Sequence, residues 1–206
     1  NIDTPEKKGF RLYEGGLVHI YGTEGDPFFV RGNDSYVTFQ VDVPSVFYCE
    51  REMYVDGTAQ FNGGKSHFAN KLTIAKNLYV EYGAEATFDD CTYILEELDF
   101  KACTSAVLHV NKYLQVGSLL TNQGVATMNL TDALFEIIGD GMFVDKGNQR
   151  VVVNGVDATY KSVVKVGGKL YFDRGNEYTT IPGDVVAAAF PCGNFTGKLN
   201  IEGDLR

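Results

Sequence analysis

Along much of the chain apolar residues fall on alternate positions, pause over three residues, and resume in the same alternation. The full pattern reads "MYVDGTAQF" from Met53, "LTIAKNLYV" from Leu72, "LHVNKYLQV" from Leu108 and "VKVGGKLYF" from Val164. Looser copies are "TYILEELDF" from Thr92 and "MNLTDALFE" from Met128, and a truncated one, "LNIEGDLR", starts at Leu199. If each of the two long gaps, from Met128 to Val164 and from Val164 to Leu199, hides one degraded copy, the repeat is about 18 residues.

Alternation at every second residue is the period of a strand, and no segment carries a sustained helical stripe. A period this short also excludes the common helical repeats. The two apolar pairs of a copy lie six residues apart, and a third six-residue side would complete a turn. Ala84 and Ala86, or Thr104 and Ala106, are candidates for that side. The pattern therefore predicts an all-β, single-stranded β-solenoid, three-sided, with about 18 residues per turn. It places Leu72, Leu108 and Val164 in one interior column and makes Leu78 and Leu114 equivalent core positions. Asp56-Gly57, Asn62-Gly63-Gly64, Gly139-Asp140-Gly141, Asn154-Gly155 and Gly167-Gly168 supply corners. The competing architecture is a β-sandwich with hairpins at those same dipeptides.

Residues 1–206 read as a single domain, with residues 1–45 as an N-terminal cap or irregular first turns, since an open solenoid end invites strand pairing. The chain starts at Asn1, which suits either a processed protein or a piece of a longer one.

Composition narrows the partners. Of 206 residues 44% are hydrophobic and 22% charged, the balance of a folded chain. A net charge of −9 and no dense Lys/Arg cluster argue against nucleic acid. No apolar run approaches the ~20 residues of a membrane span, and the front shows no signal-peptide pattern. Fourteen Phe and twelve Tyr favour strands.

Candidate chemistry is sparse. Cys49, Cys91, Cys103 and Cys192 match no zinc or redox spacing, and Cys49 and Cys103 fall too many turns apart to bridge, so unpaired thiols are expected. His19, His67 and His109 are scattered along the chain and read as surface residues, His109 pointing outward between Leu108 and Val110. Asp140 and Asp145, on the glycine-rich stretch Gly139–Asn148, fit ordinary turn chemistry better than Ca²⁺ binding. Asp89, Asp90, Glu96, Glu97 and Asp99 gather on neighbouring sides, and paired carboxylates are what glycoside hydrolysis requires. A solvated charged face explains the same run, and alternation sends Glu97 and Asp99 outward together. Asn-x-Ser/Thr triplets stand at Asn33, Asn129 and Asn194. No nucleophile elbow, phosphate-binding loop or cofactor motif appears.

The run from Leu72 to Phe143, with "LTIAKNLYVEYGAEATFDDCTYILEELDF" and "LHVNKYLQVGSLLTNQGVATMNL", resembles the solenoid region of LruC-domain proteins. That resemblance covers about a third of the chain and implies a non-catalytic bacterial surface or secreted protein. Bactofilins, which are polymer-forming scaffold proteins, share the short solenoid period. The expected function is thus a cell-surface or extracellular module for adhesion, glycan binding or structural spacing, without cofactor. Tyr54, Tyr79, Tyr113 and Tyr171 are the candidate ligand face, as an outward column on which sugar rings could pack. The alternatives are a polysaccharide-degrading solenoid using the acidic group and a self-assembling envelope scaffold pairing end to end through the strand at Leu199.

Overall fold

A computed structural model describes residues 2–3, 9–22, 25, 27–32, 37–121, 124–131, 133–144, 150–156, 163–173, 178–181, 184–189 and 198–201, with side-chain surroundings described within 9–141 and over 165–168. Cys192, Asp145, Asn33 and Asn194 lie outside the described residues, as does the Tyr171 side chain.

The chain is a three-sided β-solenoid in which strands pair in parallel with those one turn before and one turn after. Face one stacks Phe28–Arg31, Met53–Asp56, Leu72–Ile74, the start of Thr92–Val110, the start of Tyr113–Thr121 and Leu134–Ile137. Face two stacks Phe10–Leu12, Val37–Asp42, Thr58–Asn62, Leu78–Tyr82 and the middle of Thr92–Val110. Face three stacks Leu17–Ile20, Val46–Cys49, Lys65–Phe68, Glu85–Phe88, the end of Thr92–Val110 and Gly124–Thr131. Phe28 to Leu130 makes five complete turns. The first 45 residues supply strands to the same stack, and Lys198–Ile201 pairs with Tyr178–Ile181. Among the described residues no helix is long and apolar enough to cross a membrane.

The turn is longer than the sequence spacing predicts. Val55, Ile74, Ile94, Val116 and Ile137 stack in succession, and their chain numbers rise by 19, 20, 22 and then 21. The first turns are longer still, with a rise of 25 from Val30 to Val55 and of 29 from Ile20 to Cys49.

The interior column also differs from the sequence reading. Met53, Leu72, Thr92, Leu114, Phe135 and Val164 share face one, whereas Leu108 stacks on Ala86 and Met128 on face three. Leu78 and Leu114 are both fully buried but sit on different faces. The cause is that every side of the triangle carries two inward residues and successive sides follow at the same short spacing. "LTIAKNLYV" spans the corner from face one to face two, and "LHVNKYLQV" spans the corner from face three to face one, yet the two read alike. The unusually short step from Thr92 to Leu108 is this slip.

The core is one continuous column of side chains. Phe39, Phe47, Phe61, Phe68 and Phe88 pack in sequence along the axis with neighbouring centroids 4.8 to 6.4 Å apart. Third-side positions Ala84, Ala86 and Ala106 are buried, but Thr104 is exposed. Face three is not uniformly small inside, because Phe68, Phe88 and Val110 share it. The corner from face two to face three needs left-handed backbone at successive levels, filled by Gly63 (φ 78°), Tyr82 (φ 53°) and Ala102 (φ 47°). At the corner from face one to face two, a Cβ on Gly117 would come within 2.3 Å of the Glu96 carbonyl oxygen. Glycine there lets adjacent turns close to hydrogen-bonding distance.

Cys49, Cys91 and Cys103 are unpaired thiols. Burial pushes the Cys103 thiol up to about 12, and its Sγ donates to the Val80 carbonyl. It behaves as core.

Candidate functional site

Because side chains alternate in and out, each face carries outward ladders running along the solenoid axis. The four candidate tyrosines divide between two of these faces. Tyr54 stands on face one in the ladder Phe29, Tyr54, Thr73, Tyr93, Gln115, Glu136, with Tyr113 beside Tyr93 at 5.6 Å between rings. Tyr79 is on face two, level with Gln60 and Asp99, and the backbone of Tyr171 continues that face beside Met142. They do not make one column: Tyr54 belongs to the first apolar pair of its copy and so to face one, Tyr79 and Tyr171 belong to the second pair and so to face two, and the slip in the repeat carries Tyr113 to face one. Face one instead gains Phe29 and Tyr93, which sequence reading missed. Tyr113 donates to Glu136, which also accepts from Gln115 and Lys165. Those partners, Lys165 foremost, lower the Glu136 carboxyl to about 2, while burial and Glu136 push the Tyr113 hydroxyl up to about 12.

The acidic group is dispersed. Asp89 and Asp90 occupy the corner from face three to face one, Asp89 bound to His67 and Asn111 and Asp90 to Lys112. Glu96 is exposed at the corner from face one to face two, and Glu97 and Asp99 follow on face two, level with Ser118 and Leu120. Asp99 is only 2% exposed, although on the outer side of the sheet. Lys101 covers it, with Nζ 3.3 Å from Asp99 Oδ2 and 3.4 Å from the Tyr79 ring centre, and Asp99 Oδ1 has no hydrogen-bond partner. Burial pushes the Asp99 carboxyl up, and burial together with the Asp99 charge does the same to Glu97.

That arrangement carries a stability prediction. With its folded-state value raised, the Asp99 carboxylate costs stability above that value and nothing below the ordinary carboxylate range, where it is protonated folded or unfolded. Asp99→Asn is therefore expected to stabilise the protein by about 1 kcal/mol at neutral pH and to have no effect near pH 3, read from denaturant midpoints. A destabilised variant at neutral pH would show that the Lys101 pair outweighs the burial cost.

Face three holds the arrangement that sequence reading passed over. Its central ladder is His19, Tyr48, His67, Thr87, His109 and Asn129, each the direct neighbour of the next one turn on. All three histidines of the chain fall on it. They are not scattered: His19 and His67 are separated by two turns, as are His67 and His109, and each stands between two inward residues. His109 points outward as expected. The sequence signal was the triplets Val18-His19-Ile20, Ser66-His67-Phe68 and Leu108-His109-Val110, legible only once the turn length is right.

The rings form a continuous stack. His19 lies 3.7 Å from Tyr21 and 4.4 Å from Tyr48, and Tyr48 lies 4.6 Å from His67, the last two contacts edge-on. Carboxylates flank the ladder on one side, His19 Nε2 donating to Glu50 at 2.9 Å and His67 Nε2 to Asp89 at 2.6 Å. Asn129 donates to His109 Nδ1. On the other side Lys65 pairs with Glu85 at 2.7 Å, beneath the half-exposed Val46. Between the two flanks Tyr48, His67 and Thr87 floor a shallow depression of about 200 Å³.

Among the described residues no three His, Cys, Asp or Glu side chains are placed to hold a metal ion. Asp140 is exposed on its corner. No family model, no curated protein and no solved structure matches the chain.

Proposed function

We propose that the protein is a non-catalytic, extracellular or cell-surface solenoid module that binds glycan on face three. The observation that carries this reading is the run of stacked rings His19, Tyr48 and His67, the last two flooring a shallow depression with Thr87, a surface of ring faces and edges bordered by hydrogen-bonding groups. Sugars present both apolar C–H faces and hydroxyls, and amphipathic rings meet both. A flat parallel sheet also suits display better than chemistry, since the outward groups lie side by side rather than across a cleft. Placement at a bacterial surface rests on the resemblance to LruC-domain proteins.

Affinity electrophoresis through gels containing dissolved polysaccharide tests the reading. The native protein is expected to be retarded, and Tyr48→Ala to weaken binding about tenfold or more, the loss of one well-placed aromatic contact. Equal retardation of native protein and variant would remove face three from the binding surface. Release of reducing sugar by the native protein would overturn the non-catalytic part.

A further inference from the structure

The chemically similar groups of face three repeat along the solenoid axis, not along any one strand, and among the described residues the charges bordering the ladder from His19 to His109 already have partners. Lys65 is matched by Glu85, Asp90 by Lys112, Glu50 is bound by His19, and Asp89 accepts from both His67 and Asn111. The central ladder itself contains only rings, hydroxyls and an amide.

Resting on the glycan-binding reading, we propose that face three takes an uncharged, extended polysaccharide lying parallel to the solenoid axis, one sugar or so per turn, across the ladder from His19 to His109. The ladder spans four inter-turn steps, or ~19 Å at the strand spacing. A sugar unit in an extended chain is about as long as that spacing, so successive units meet successive turns.

Charge decides against the ionic alternatives. A polyanion would meet Glu50, Glu85 and Asp89 at close range, and the lysines that would have to bind it are held by Glu85 and Asp90. A polycation would have to displace His67 and Asn111 from Asp89, giving up two hydrogen bonds of 2.6 and 2.7 Å. A neutral chain needs neither exchange. Its hydroxyls use the Tyr48 and Thr87 hydroxyls and the second ring nitrogens of His19 and His67, and its C–H faces use the rings and Val46.

Titration calorimetry with neutral β-linked gluco-, xylo- and manno-oligosaccharides of two to six units, against polygalacturonate and chitosan oligomers, tests this. Affinity for at least one neutral series is expected to rise about tenfold or more between the disaccharide and the tetra- or pentasaccharide and then level off, as added units engage further turns. Tyr48→Ala should weaken every length, and the loss caused by His109→Ala should grow with length, each variant first shown native by circular dichroism. Length-independent binding, or tighter binding of the polyanion or polycation than of any neutral series, overturns the axial neutral-chain proposal while leaving glycan binding in place. No binding of any of the five ligands by the native protein overturns both.

Discussion

Phe68→Ala is expected to cost about 3 to 5 kcal/mol, read as a fall in the denaturant midpoint at an unchanged slope. Phe68 is 1% exposed and lies within ring contact of Phe39, Phe47, Phe61 and Phe88, so it joins three successive turns from the inside. Removing it leaves a cavity whose walls are strands fixed by ladders on both sides, which limits collapse. In a stack where each turn contacts mainly its neighbours, protection from hydrogen exchange should drop first around residues 47–88. A loss under about 1 kcal/mol would mean that the phenylalanine column fills space without holding the turns together.

Acid is expected to weaken the fold through Glu136. Its folded-state value of about 2 lies below the ordinary 4.5, so its contribution is fully present above pH 4.5 and is lost as pH falls toward 2. With a side chain only 17% exposed, that contribution should be about 2 kcal/mol after allowance for screening. Asp42 acts in the same direction: burial pushes its carboxyl up, but hydrogen bonds from Asn62, Arg11 and Gln40 outweigh that and hold it below its usual range. Glu136→Gln should therefore cost about 2 kcal/mol at neutral pH and almost nothing well below pH 2, flattening the acid limb of the stability curve. An unchanged acid limb would show that Tyr113 and Lys165 are solvated in solution rather than bound to Glu136.

The solenoid was legible because alternation is a local property of the backbone and needs no knowledge of what stacks on what. "LTIAKNLYV" declares two inward pairs whatever lies above it. The register between turns was less legible, since three chemically alike sides give the same short spacing at each corner, and only the step from Thr92 to Leu108 betrayed the change of side. That single ambiguity also obscured the candidate site. At the shorter period drawn from the repeat, His67 and His109 have no common side, while the observed turns bring them onto one ladder through Thr87. The burial of Asp99 lay beyond pattern reading altogether, because it depends on Lys101 folding back across Tyr79.

The run from Thr92 to Val110 rounds two corners as one continuous strand, its registers shifting by one residue at each bend. Mechanically this makes the ladders, rather than the corners, the joints of the molecule. A load drawn along the axis pulls each inter-turn ladder apart in the direction of its own hydrogen bonds. The chain then yields by peeling from an end, one turn at a time, each step releasing about 20 residues, or ~70 Å of extended backbone. Such a stack lengthens in steps while its remaining turns stay folded.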